Sequence, residues 1–116
     1  MTRNFESAIT KGKNQMEHLE QLDNRSLVLD IAVNLGRIGK FSMMGNEKRV
    51  RQFLLEVEEY FKVVNNRKIA GVVDRPLKRL EQICSKGLPV SGQFNRENID
   101  DLFTYANILT HRAELA

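Results

Sequence analysis

The chain contains little of what usually identifies an enzyme, a secreted protein or a membrane protein. Its 116 residues include one cysteine, two histidines, two prolines and no tryptophan. Because the lone Cys84 cannot form an internal disulfide, we expect a reducing, cytoplasmic setting. The longest nearly apolar run, residues 27–35, is interrupted by Asp30 and Asn34 and is too short and too polar to cross a bilayer. The opening "MTRNFESAITKGKNQ" has no apolar stretch of the kind found in secretory signals.

Side chains that could carry catalysis are scarce and scattered. Neither His18 nor His111 has a second histidine at helical spacing, and the Glu-x-x-His pattern of di-iron bundles is missing. "GRIGKF" places glycines near a lysine but lacks the preceding strand that a phosphate-binding loop requires. Cys84 falls on the flank of a predicted helix, where a small buried hydrophobic residue is expected. We therefore expect no catalytic residues, no metal and no cofactor.

The composition and the spacing of apolar residues predict one all-α domain over residues 1–116. Hydrophobic residues make up 41% and charged residues 28% of the chain, which is typical of a globular protein. The long apolar-periodic segments have helical spacing, and no run alternates strictly enough for a strand. Short connections favour antiparallel neighbours. The expected architecture is a compact bundle of about five helices.

The first two predicted helices differ in how much of their surface is apolar. Helix one covers about residues 5–22, with one face formed by Phe5, Ile9, Gly12, Met16 and Leu19. Helix two runs from an N-cap at Ser26 to about Phe41 and is apolar on most sides, so it should be the central helix. Its polar strip is narrow and consists of Asp30, Asn34, Arg37 and Lys40.

The remaining helices follow a predicted turn in which Gly45 takes a left-handed conformation and Asn46 caps the next helix. Helix three spans about residues 47–64, with an inward stripe of Val50, Phe53, Leu54, Val57, Phe61 and Val64. Helix four spans about residues 67–86, with Ile69, Val73, Leu77, Leu80 and Cys84 inward. Pro76 either kinks it or lies in the first turn of a fresh start capped by Asp74. Helix five begins near Asn95, with Ile99, Leu102, Phe103, Ala106 and Leu109 inward.

Positive charge is concentrated in the middle of the chain. The net charges of residues 1–36, 37–86 and 87–116 are −1, +6 and −2. The stretch "GRIGKFSMMGNEKRVRQF" holds five cations against one acid, Glu47: Arg37, Lys40, Lys48, Arg49 and Arg51. A helix N-terminus follows the turn in this stretch, and such ends favour phosphate groups. The pattern indicates a localised anion-binding surface.

A second set of cations lines one sector of helix four, opposite its core face. We call these residues the basic stripe of helix four: Lys68, Arg75, Lys78, Arg79 and Lys86. No acid lies within the sector on the helical wheel, although helices usually mix charges of both signs. Three interpretations remain open: contact with a nucleic-acid phosphate backbone, an ordinary solvated face, and a surface for an acidic protein.

The same features argue against sequence-specific reading of nucleic acid. Aromatic residues make up 7% of the chain and mostly occupy core positions, so stacking on bases is not expected. A helix-turn-helix arrangement of helices two and three is an alternative. However, helix three exposes Leu55, Glu58 and Glu59 where a recognition helix would carry base-contacting side chains. Contact with RNA or DNA backbone, without sequence preference, is the expectation.

Three stretches resemble the small helical subunit of CRISPR effector (Cascade-type) complexes: "GRIGKFSMMGNEKRVR", "DRPLKRLEQICSKG" and "FNRENIDDLFTYANILTHRAEL". In that family, helical bundles line up along an RNA-guided filament and support its nucleic-acid strands through basic faces. The resemblance implies a non-catalytic role in antiviral defence, with other protein subunits as partners and several copies in each complex. It implies no membrane association.

The main alternative is a helical adaptor that binds another protein and no nucleic acid. Several apolar residues fall outside the predicted core: Met43, Met44, Leu55, Ile108 and Leu115. If they cluster in the folded protein, they form an interface.

Overall fold

The computed structural model describes residues 18–116, which form four α-helices, a terminal 3-10 turn and no strand. The bounds are Asn24–Met43 for α1, Glu47–Val64 for α2, Gly71–Ser85 for α3, Arg96–Arg112 for α4 and Ala113–Leu115 for the 3-10 turn. Residues 18–21 are also helical. The remainder of predicted helix one, including Phe5, Ile9, Gly12 and Met16, lies outside the described residues. The predicted all-α bundle of about five helices is confirmed.

α1 is the central helix, as its apolar surface predicts. It packs along α4 and α2 and also touches the 3-10 turn. Leu27, Ile31, Leu35 and Ile38 are fully buried on it. Asn34, predicted to lie on a polar strip facing solvent, is instead buried. Helices packed on two sides of α1 leave only a narrow part of its circumference facing outward.

Three of the helices are capped by a side-chain oxygen that accepts a hydrogen bond from a backbone amide. The carboxylate of Asp23 accepts from the Ser26 amide at 2.7 Å, so α1 begins earlier than predicted and Ser26 is not its cap. Asn46 accepts from the Arg49 amide at 3.2 Å, and Asn95 caps α4 in the same way, both as predicted. The amide of Ser26 also lowers the pKa of Asp23.

The turn between α1 and α2 has the predicted geometry. Gly45 has a φ of +69°, a left-handed conformation that residues with a Cβ rarely adopt. α2 then has the predicted bounds, and its inward stripe is buried except for Leu54, which is partly exposed. Leu55 points away from the core with 66% of its surface exposed.

α3 begins at Gly71, later than the predicted start near residue 67, and contains Pro76 in its interior, as the first of its two predicted forms does. Asp74 therefore lies inside the first turn and is not the cap. Proline has no amide hydrogen, so the Val72 carbonyl loses its normal helical partner four residues later. The Arg112 guanidinium at the end of α4 donates to that carbonyl at 2.9 Å. A cation from another helix thus replaces the missing donor.

On α3 and α4, the buried residues differ slightly from those predicted to face inward. On α3, Ile83 is buried, whereas Cys84 is only partly buried, and so is Ile69, which precedes the helix. On α4, Phe103 is 38% exposed rather than fully inward. Its ring lies against Gly39 of α1, where a Cβ atom would come within 2.9 Å of the ring. The absence of a side chain at residue 39 therefore allows α1 and α4 to approach closely.

Replacing Phe61 with alanine should destabilise the fold by about 3–5 kcal/mol, the range for a truncated core phenylalanine. Phe61 is 4% exposed on the inward side of α2. Leu55→Ala, on the exposed side of the same helix, should change stability by less than about 0.5 kcal/mol. Denaturant titration of both variants tests this, and similar losses would mean that the inward side of α2 is misassigned.

Arg112→Ala should destabilise the wild-type chain by about 1 kcal/mol, because the Val72 carbonyl loses a charged donor. In a Pro76→Ala background the loss should be smaller, since the new amide at residue 76 can donate to the same carbonyl. A double-mutant cycle of the two substitutions, measured by urea denaturation, gives the coupling. Additive effects of the two changes would contradict this role for Arg112.

Candidate nucleic-acid interface and adjacent groove

Four exposed cations lie near the turn where α1 ends and α2 begins. We call Arg37, Lys40, Lys48 and Arg49 the α1–α2 basic cluster. The tight turn at residues 44–46 reverses the chain, which brings the cations at the end of α1 towards those in the first turn of α2. Lys40 complements the negative end of the α1 dipole, whereas Lys48 and Arg49 lie at the positive end of α2. Two cations at a helix N-terminus do not stabilise that helix, and they strengthen its positive potential.

Aromatic packing holds Arg37 in this cluster. The Arg37 guanidinium carbon lies 5.4 Å from the centre of the Phe53 ring, within the range of a cation–π interaction. Phe53 in turn stacks on Phe41, with ring centres 5.7 Å apart and planes within 4° of parallel. On the adjacent turn of α2, Arg49 donates to the Gln52 side chain at 3.1 Å. Arg37 and Arg49 both flank Phe53, since residues 49 and 53 are one helical turn apart.

Ion pairs neutralise several other predicted binding residues. Within residues 18–116, the paired cations are Arg51 with Glu47 at 3.2 Å, Lys62 with Glu59 at 3.2 Å, Lys78 with Asp74 at 3.9 Å and Arg79 with Asp101 at 3.3 Å. None of these pairs involves the α1–α2 basic cluster. The cluster therefore keeps its full positive charge among the described residues.

Arg51 and Arg49, two of the five cations in the same stretch, differ in their ion pairing. Arg51, a predicted nucleic-acid contact, pairs with Glu47 on the preceding turn. Arg49 forms none of the ion pairs found in residues 18–116. The distinction follows from the N-terminus of α2: once the helix is known to begin at Glu47, the spacing of four residues favours the pair with Arg51.

Predicted helix four corresponds to α3, and we call its set of cations the α3 basic stripe from here on. Its charge is less uniform than the helical wheel indicates. Lys68 precedes α3, and its carbonyl accepts from the Asn24 amide group at 3.2 Å. Arg79 pairs with Asp101, an acid that α4 contributes from a distant part of the sequence. Arg75 and Lys86 are exposed and form none of the ion pairs found in residues 18–116. The stripe itself contains no acid, but Asp74 and Asp101 lie beside two of its cations.

An apolar groove of about 590 Å³ lies between α2 and the end of α3. Its apolar lining consists of Leu54, Leu55, Phe61, Cys84 and Leu88, and its polar lining of Arg51, Glu58, Lys62, Glu81 and Ser85, with Gly87. The volume falls in the range of small-molecule and side-chain binding clefts.

The apolar residues predicted to form an interface lie in separate places. Met43 and Met44 are 70% and 63% exposed at the α1–α2 turn, and Ile108 is partly buried on α4. Of these predicted residues, the part of the chain that the structure describes brings only Leu55 into the groove. A single interface patch containing all of them is therefore not formed.

The Cys84 side chain lines this groove, and its environment disfavours the thiolate. Burial, with a smaller effect of the Glu81 carboxylate, raises the pKa of Cys84 to about 12. A thiol with this pKa is protonated and weakly nucleophilic at neutral pH.

Within residues 18–116, no group of three or more His, Cys, Asp or Glu side chains could hold a metal ion. In the same region, no helix combines the length and the apolar character needed to span a bilayer.

Alkylation of Cys84 should be slow and should accelerate about tenfold for each pH unit between pH 8 and 11, because only the thiolate reacts. In the chain unfolded by denaturant, the rate should level off near the ordinary thiol pKa of 9.0. The pKa of Cys84 is higher in the folded chain than in the unfolded chain. The contribution of this thiol to the free energy of unfolding is therefore fully present below pH 9 and is lost as the pH rises towards the folded-state pKa. Iodoacetamide labelling followed by mass spectrometry measures the rate, and a plateau near pH 9 in the folded chain would refute the assignment.

Comparisons with known proteins do not assign this chain to a family. No protein-family model matches the sequence, and comparison with curated proteins and with solved structures gave no significant match. A function for this chain therefore has to be argued from its own surfaces.

Proposed function

We propose that the protein is a non-catalytic subunit that binds the phosphate backbone of RNA or DNA through the α1–α2 basic cluster. One observation carries the proposal: the four cations flank one turn between helices, all are exposed, and none forms an ion pair within residues 18–116. Lys48 and Arg49 lie at a helix N-terminus, where phosphates are favoured and cations are not. Such an arrangement is typical of a surface that binds an anionic partner.

The chemistry of this surface favours contact with the backbone over reading of bases. Phe53 is 9% exposed, with Phe41 stacked on its ring and the Arg37 guanidinium over it, so this ring offers no free face to a base. Lysine and arginine contacts to phosphates gain affinity mainly by releasing counterions, so binding should be sequence-tolerant and weaken with salt. Arg75 and Lys86 on α3 extend the basic surface in this proposal.

A place in a larger ribonucleoprotein assembly is part of the same proposal. The resemblance to small subunits of CRISPR effector complexes, the helical bundle and the basic cluster all fit a cytoplasmic subunit that supports nucleic-acid strands. In such an assembly, several copies would contact other protein subunits.

The α2–α3 groove supports a second candidate function, that of a helical adaptor. Leu55 is 66% exposed on the edge of the groove, and its lining is largely apolar. An amphipathic helix of another protein could place apolar side chains in such a groove. Here the partner would be a protein, and nucleic acid would not bind.

Neutralising the cluster should weaken nucleic-acid binding more than an equal loss of charge elsewhere. The test variant is Arg37→Gln/Lys40→Gln/Arg49→Gln, and the matched control is Arg25→Gln/Lys62→Gln/Arg96→Gln. Fluorescence anisotropy with a mixed-sequence oligonucleotide, across a salt series, measures both. Loss of three phosphate contacts should flatten the slope of log K against log salt by about two to three units.

A third variant, Arg75→Gln/Lys78→Gln/Lys86→Gln, separates the α3 basic stripe from the cluster. We expect an intermediate loss of affinity, because Lys78 is already paired with Asp74. Equal losses in all three variants would mean that only bulk charge matters. No binding by the wild-type chain at low salt would favour the adaptor.

A further inference from the structure

The α2–α3 groove follows α2 over several helical turns. Its lining on this helix extends from Arg51 through Leu55 to Lys62, positions that are one and two turns apart. The rise between the first and the last of them is about 16 Å. Cys84 and Leu88 add apolar surface on the α3 side. The site therefore has the length of a short amphipathic helix, whose apolar side chains recur at the same spacing.

The charged residues that line the groove differ in their ion pairing. The two cations each pair at 3.2 Å with an acid that does not line it, Arg51 with Glu47 and Lys62 with Glu59. The two lining acids, Glu58 on α2 and Glu81 on α3, form none of the ion pairs found in residues 18–116. Although the whole chain has a net charge of +3, the groove therefore presents uncompensated negative charge from both of its helices.

The position of Glu81 is fixed by contacts at the groove. Its carboxylate accepts a hydrogen bond from the Asn65 side chain at 2.7 Å, which links the start of the α2–α3 connection to α3. It also contributes to the raised pKa of Cys84, a residue that lines the same groove. Because the Asn65 amide is neutral, the hydrogen bond leaves the negative charge of Glu81 in place. Glu58 is exposed on the facing helix.

The geometry points to a partner of defined charge: we propose that the α2–α3 groove binds a basic amphipathic helix of another protein. Apolar side chains of that helix would contact Leu55, Cys84 and Leu88. Lysine or arginine residues beside them would pair with Glu58 and Glu81. Complementary charge speeds association and disfavours acidic partners. This inference rests on the second candidate function, the adaptor, and does not depend on nucleic-acid binding at the α1–α2 basic cluster.

Selection from a peptide library on the full-length chain tests the sign of the partner's charge. Library peptides of about 14 residues carry leucines at helical spacing, with lysine, glutamate or serine at random beside them. We expect enrichment of lysine on the wild-type chain and loss of this enrichment on Glu58→Gln/Glu81→Gln. The matched control, Glu97→Gln/Glu114→Gln, removes two exposed acids that do not line the groove and should keep the enrichment.

Fluorescence anisotropy with one selected lysine-containing peptide measures the size of the effect. Glu58→Gln/Glu81→Gln should weaken binding at least about fivefold, because two ion pairs with the peptide are lost. The control variant should change the affinity by less than about twofold. Leu55→Ala should also weaken binding, since it removes apolar surface from the groove. Circular dichroism and urea midpoints confirm that each variant is folded.

The outcomes separate this inference from the function on which it rests. Equal recovery of lysine and glutamate peptides, or enrichment of glutamate, would overturn the basic partner. The adaptor would still stand if Leu55→Ala weakened binding of those peptides. Equal losses in the two double variants would also overturn the inference, because only bulk charge would then matter. If no peptide is enriched, or if binding is unchanged in Leu55→Ala, the adaptor is overturned together with it.

Discussion

The packing of α1 between α2 and α4 is the constraint on which the rest of the structure depends. Leu27, Ile31, Leu35 and Ile38 are fully buried along α1, which supplies much of the single hydrophobic core. The close approach of Phe103 to Gly39 brings α4 against it. α3 packs mainly on α4 and contacts α2 much less. The α2–α3 groove is a consequence, because two helices held by different neighbours do not close on each other.

The same packing decides which charges remain available on the surface. α4 carries Asp101 to Arg79, and the N-terminus of α2 places Glu47 one turn before Arg51. At the α1–α2 turn, by contrast, Arg37, Lys40, Lys48 and Arg49 form none of the ion pairs found in residues 18–116. Electrostatic potential on this molecule is therefore set less by net charge than by which helices are neighbours.

The α1–α2 basic cluster and the α2–α3 groove, the two surfaces with a proposed function, lie on different sides of α2. Arg49 belongs to the basic cluster, and Arg51 lines the groove. Residues two positions apart point to nearly opposite sides of a helix. The two candidate functions therefore rest on different sides of α2.

Local signals in the sequence were enough to determine the helices, and only the tertiary structure decided the surfaces. The helical spacing of apolar residues determined the all-α class. Gly45, Asn46 and Asn95 determined the bounds of α2 and the start of α4. All of these features depend on residues a few positions apart. The start of α3 was not predictable in this way, since Pro76 is tolerated through a hydrogen bond from Arg112 on another helix. The ion pair of Arg79, the burial of Asn34 and the groove at Leu55 likewise depend on which helices become neighbours. The sequence located the positive charge. Spacing within one helix pairs Arg51, Lys62 and Lys78 with acids, and only the pair of Arg79 with Asp101 needs packing between helices among residues 18–116.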